Sequence, residues 1–203
     1  MLSVLFILAL LLVVRFFSAE DTRICDDGKW IPHGHPSSAQ PLTGCLLASW
    51  VVDSEQQELF TVSSVFESGE MIPSSYTCQG KDVQPSFAFA GIPKGTKSLA
   101  LIIDDPDAPR WIWTHWVVWN IPVMSGLQEN VVPTWAVQGK NSWWTLPYRG
   151  PCPPSGIHRY FFTVYALDAD LSLSAWSSRQ QFEEAIQGHV LEETELMWRY
   201  QKK

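Results

Sequence analysis

The stretch LIIDDPDAPRWIWTHWVVWNIP, Leu101–Pro122, decides how the chain is read. An apolar run ends in three carboxylates, Asp104, Asp105 and Asp107. Pro106 lies between the last two and Pro109 follows them, and the chain then returns as a second apolar β-type run carrying His115. Proline cannot donate to a strand ladder, so Pro106 and Pro109 end the first strand and stiffen the turn. The preceding SLALIIDD has a continuous apolar centre and is expected to be a strand buried on both faces. Alternation along it places Asp105 on the side of Ile103, at the rim of whatever that face covers.

Outward from this pair, LFTVSSVF, FAFAGI, THWVVWNI and HRYFFTVYAL (His158–Leu167) read as further strands. Helical pattern is confined to the C-terminus. Ser178 and Gln181 form a capping box for RQQFEEAI, and after Gly188 the segment HVLEETELMWRY carries Val190, Leu191, Met197 and Trp198 at helical spacing. No strand–helix alternation and no internal repeat is present. The expected class is mainly β, sandwich-like, with an antiparallel or mixed sheet and helices at one end.

The 203 residues are 46% hydrophobic, enough for one domain with a sizeable core. The formal charge is −7 and no Lys/Arg run occurs, which argues against nucleic acid as a partner. Met1–Val14 is almost uninterruptedly apolar, too short for the roughly 20 residues of a membrane span. Residues 1–19 are therefore expected to be a signal peptide cleaved after Ala19, with an uncleaved anchor as the alternative. Residues 20–58 read as a loop-rich extension with one strand-like run, Cys45–Val52, and residues 59–203 as the folded domain. His33 and His35 lie in the extension without further ligands, so no metal site is assigned. Four cysteines, Cys25, Cys45, Cys78 and Cys152, suit disulfides in an oxidising compartment, with three pairings open. None of Asn120, Asn130 and Asn141 begins a glycosylation sequon.

A second loop, YRGPCPPSGIHRY (Tyr148–Tyr160), is stiffened by Gly150, Pro151, Pro153, Pro154 and Gly156. Backbone N–H groups of such a loop, with His158 at its mouth, can receive an anion. Arg159 is suited to a bidentate grip on a carboxylate of the first loop. Acidic rim, two histidines and aromatic walls together suit a small zwitterion.

In D-P-D-A-P (Asp105–Pro109), H-W-V-V-W-N-I-P (His115–Pro122) and G-P-C-P-P-x-G-x-H-R-Y (Gly150–Tyr160), followed by FFTVYALD, the chain resembles the phosphatidylethanolamine-binding protein, or Raf kinase inhibitor-like, family. The short connection from Asp105 to His115 is similar to the bacterial-type branch. The resemblance spans about 140 residues from Leu59 to Tyr200. It implies a large central antiparallel sheet, a smaller sheet and C-terminal helices beside an anion pocket for phosphate or a phospholipid headgroup. It also implies pocket residues Asp105, Asp107, Pro109, Trp113, His115, His158 and Tyr160, a backbone wall at Gly150, Pro151 and Cys152, and Arg159 in support. A Cys78–Cys152 bridge would staple that wall.

The expected function is a secreted binding protein without a cofactor, with a kinase or protease as a partner to inhibit. Two alternatives stand beside it. One is a hydrolase using the Asp/His pocket, for which Ser155 is the nearest nucleophile and no G-x-S-x-G or H-E-x-x-H motif occurs. The other is a protein- or carbohydrate-binding module built on Trp111, Trp113, Trp143 and Trp144.

Overall fold

The computed structural model describes residues 58–203 and two N-terminal strands. The chain divides into two units, Met1–Gln56 and Gln57–Lys203. In the first, β1 (Thr22–Asp26) pairs antiparallel with β2 (Lys29–His33), Asp26 opposite Lys29. A hairpin thus stands where a loop is expected. The sequence carries the signal for it, because Asp-Gly between two strands is a strong short-hairpin cue. The expected signal segment, the Cys45–Val52 strand and Cys45 lie outside the described residues, as do the side chains of Cys25 and His33 and all of His35.

The second unit is built on two antiparallel sheets. The small one has the order β3 (Thr61–Ser64), β4 (Phe87–Ala90), β7 (Gly126–Leu127). The large one has the order β10 (Val190–Gln201), β9 (Ile157–Leu167), β5 (Ser98–Asp105), β6 (Trp113–Pro122), β8 (Val137–Gln138). β5 is central and every one of its residues is buried. Its two faces feed two cores. Leu99, Leu101 and Ile103 join Trp116, Phe162, Trp198, Phe87 and Phe89 between the sheets. Ala100 and Ile102 join Val117, Trp119 and Leu167 beneath Phe182 and Ile186 of the helix α1 (Arg179–Ile186). The two-sided burial explains why β5 shows no apolar–polar alternation.

α1 begins with the expected capping box, Ser178 and Gln181 bonding reciprocally. It is followed by a strand, not by a second helix. Gly188 takes a left-handed backbone (φ +78°), and 190–201 then runs as β10 along the whole of β9. Its buried residues are Leu196, Trp198 and Tyr200, a period of two. The helical reading of Val190, Leu191, Met197 and Trp198 is thereby corrected. A long free edge on β9 supplies a ladder for the tail. Among the described residues no helix is long and apolar enough to cross a membrane.

Candidate functional site

The two loops meet at one end of the large sheet. Asp105 ends β5 with only 4% of its surface exposed. Its Oδ2 accepts from Nδ1 of His158 at 2.7 Å and its Oδ1 from the Asp107 backbone N–H at 2.9 Å. The carboxylate is therefore internally satisfied, and its effect is to fix the His158 ring at the start of β9. Asp107 turns the other way. It accepts from the Arg159 backbone N–H and Nε (both 2.9 Å) and from a terminal guanidinium nitrogen at 2.8 Å. The Arg159 hydrogen bonds hold the Asp107 carboxyl down to about 2. This is the bidentate clamp expected of Arg159, and it ties the Asp-Pro-Asp loop to β9.

His115 reaches the site by a backbone irregularity. Ile103 is opposite Trp116 but Asp104 is opposite Thr114, so β6 carries an extra residue there. A bulge of this kind turns two successive side chains to one face. Trp116 lies in the inter-sheet core, while the His115 ring meets Tyr160 edge-on at 5.2 Å and Trp143 at 5.0 Å. Its Nδ1 bonds the carbonyl of Arg149. A carbonyl only accepts, so Nδ1 carries the proton, and in the neutral ring Nε2 is a bare acceptor. Burial holds this imidazole neutral, lowering it to about 4.

The opposite wall is the Gly/Pro loop. Cys152 is bonded to Cys78, 74 positions away. The Cys78 N–H donates to the Pro151 carbonyl at 3.2 Å, and the Gly150 N–H to Asp82 Oδ1 at 2.6 Å. A Cβ on Gly150 would stand 2.3 Å from the Tyr76 carbonyl oxygen, so only glycine lets these backbones approach.

The enclosed space is about 290 Å³. Of the expected residues, Asp105, Pro109, Trp113, His115, Cys152 and His158 line it. Asp107, Gly150, Pro151 and Tyr160 do not. Asp107 is spent on Arg159, and Gly150 and Pro151 anchor the wall. Tyr160 is fully buried beside Asp105, and burial together with that carboxylate raises its phenol far above the usual range. The wall also contains Ala108, Trp143, Pro153 and Pro154. Trp143 sits edge-on to Trp113 at 5.2 Å, and the Arg149 guanidinium lies 5.5 Å from its ring centre. The sequence placed it near the pocket loops but gave no sign that it, not Tyr160, forms the wall.

Comparison with known proteins agrees with this architecture. The family profile described as phosphatidylethanolamine-binding protein matches residues 62–201. A UPF0098 protein of Methanothermobacter thermautotrophicus is 53% identical over 137 residues, covering 64% of this chain and 91% of the relative. One from Pyrococcus horikoshii is 39% identical and covers 84% of this chain and 94% of its own. Among solved structures, a putative phosphatidylethanolamine-binding protein homologue of Chlamydia trachomatis superposes with a TM-score of 0.68 at 40% identity, covering 71% of this chain and 98% of that one. Escherichia coli YbcL, described as a member of the mammalian family, gives 0.68 at 33% identity, covering 71% and 99%.

Proposed function

The chain belongs to the phosphatidylethanolamine-binding protein family, and from that premise we propose that its pocket takes a small phosphate-bearing ligand, a phospholipid headgroup or a phosphorylated group of like size. The observation that carries this reading is the pair of imidazoles, His115 and His158, each with Nδ1 committed to a protein partner and the other ring nitrogen left for the cavity. No Lys or Arg is among the lining residues. A phosphate must therefore be held by imidazolium N–H and loop backbone N–H groups. With Nδ1–H of His115 already donated, Nε2 can donate only after taking up a proton. Binding is then coupled to proton uptake and strengthens toward acid. The ammonium end of a zwitterion would lie toward Trp113, near the acidic side of the pocket.

The reading is of a binding protein, not an enzyme. The one thiol in the wall is tied up in a disulfide, Asp105 is engaged by two donors, and no lining side chain is a Ser, Thr or Lys nucleophile. The disulfide and the apolar N-terminal run support export. An inhibitory partner, a kinase or protease, would meet the rim formed by the two loops.

The test is isothermal titration with phosphate, phosphoethanolamine and phosphocholine, in two buffers of different ionisation enthalpy, beside His115→Ala. Saturable binding with proton uptake, lost in the variant, supports the reading. Folded protein that gives no heat with any of the three ends it.

A further inference from the structure

A second concavity of about 510 Å³ shares Trp113 with the pocket. We propose that it is an oligosaccharide-binding groove, distinct from the phosphate pocket. Its aromatic part is Trp111, Trp113 and Trp144; its polar part includes Lys140, Ser142 and Arg179.

Trp144 is held outward at a cost. Trp144 is 72% exposed and Trp111 58%. Trp144 has φ +63°, a left-handed backbone that strains a bulky residue. The buried Asn141 side chain enforces that turn. Its Oδ1 accepts from the Trp143 and Thr145 N–H groups at 3.0 Å, and its Nδ2 donates to the Pro147 carbonyl at 2.8 Å. The fold thus accepts strain to keep an indole in water beside a groove. Trp111 and Trp113 lie nearly parallel, 19° apart with centres 6.3 Å distant. Flat indole faces of this kind match the C–H face of a pyranose ring.

The polar atoms beside these rings have donors to spare. Ser142 Oγ accepts from the Thr114 N–H at 2.9 Å, which leaves its own hydrogen to give. Arg179 uses Nε on Asp104 and one terminal nitrogen on Glu183, and the second terminal nitrogen has no partner among the described residues. Lys140 Nζ lies 4.2 Å from the Trp144 ring centre, with no carboxylate within ion-pair distance among the described residues. A hydroxyl, a guanidinium nitrogen and an ammonium beside stacking rings recognise a ligand rich in hydroxyl oxygens. The chain's formal charge of −7 opposes an anionic bilayer surface as the occupant of this groove.

Trp113 lines both spaces, but Trp111 and Trp144 line the groove and not the phosphate pocket, so substitutions at those two residues separate the sites. The experiment is calorimetric titration of the full chain with cellohexaose, xylohexaose and chitohexaose, beside Trp111→Ala and Trp144→Ala. The expected result is saturable binding of at least one hexasaccharide, weakened about tenfold in each variant by loss of one stacking platform, with phosphoethanolamine titrating as in the parent protein. Three outcomes each overturn the proposal: no binding of any hexasaccharide, binding indifferent to both variants, or a sugar displaced by phosphoethanolamine.

Discussion

Asp104 and Asp105 are consecutive residues whose carboxylates serve opposite faces of the central sheet. Asp105 fixes His158 at the pocket, while Asp104 accepts from Thr114 Oγ1 at 2.7 Å and from Arg179 Nε at 2.9 Å, joining β5 to β6 and α1. Burial raises the Asp104 carboxyl despite the opposing pull of Arg179 and Thr114. The pair differs in its effect on binding. Asp105→Asn should weaken phosphoethanolamine at least tenfold and, as a buried acceptor of two donors, should also cost about 1–3 kcal/mol of stability. Asp104→Asn should cost about 1–3 kcal/mol of stability, because buried donors lose an ionised acceptor, yet leave the ligand affinity unchanged. Urea melts and calorimetric titration of both variants check this. The reverse pattern would misassign the two faces.

Gly150 lets the loop that carries Cys152 pass close to the main chain of Tyr76 and Thr77. Gly150→Ala should destabilise by about 2 kcal/mol or more, since Cβ meets main-chain atoms that cannot rotate away. A urea midpoint within experimental error of the parent's would show that the loop can shift without cost.

The Cys78–Cys152 bridge closes a loop across 74 positions. On chain-entropy grounds its loss costs about 4 kcal/mol. The Cys78→Ser/Cys152→Ser double variant should lose that order of stability, and also ligand affinity, because Cys152 and its neighbours Pro153 and Pro154 line the cavity. Unchanged affinity in the still-folded variant would mean that the prolines alone hold the wall.

Acid should destabilise the protein in two steps. His115 titrates near 6.5 when unfolded but near 4 in the fold. Between these values the unfolded chain holds a proton that the native state refuses, so acidification from pH 6.5 to 4 removes up to about 3 kcal/mol. Asp107 acts lower. Its clamp on Arg159 contributes fully above pH 3.8 and is lost as pH falls through about 2. Melts against pH should slope in both windows, and His115→Asn should flatten the upper one. A histidine-ring NMR titration that places His115 near 6.5 would contradict the first step. Bound phosphate should raise the same group.

Much of this was legible in local sequence. The apolar run of SLALIIDD announced a two-sided strand, Ser178 and Gln181 announced the start of α1, and the Asp-Pro-Asp and Gly/Pro loops announced a rigid site with Arg159 bracing a carboxylate of the first loop. These features depend on neighbours in the chain, on proline's fixed φ and missing donor, and on side-chain period, all of which residue order encodes.

What only the tertiary structure decided depends on groups far apart in sequence. The tail 190–201 became a strand because β9 offered a free ladder along its whole length; its apolar residues fit either period when read alone. His115 faces the pocket because β6 holds one residue more than β5 at that point, a mismatch no single strand displays. Cys78 was one of three possible partners for Cys152 until the two loops came together. Trp143, not Tyr160, became the wall because edge-on packing against His115 and Trp113 set it there. Residue order specifies local backbone geometry and which surfaces must be buried. Only the closed sheet and the bridged loops specify which side chains meet across those surfaces.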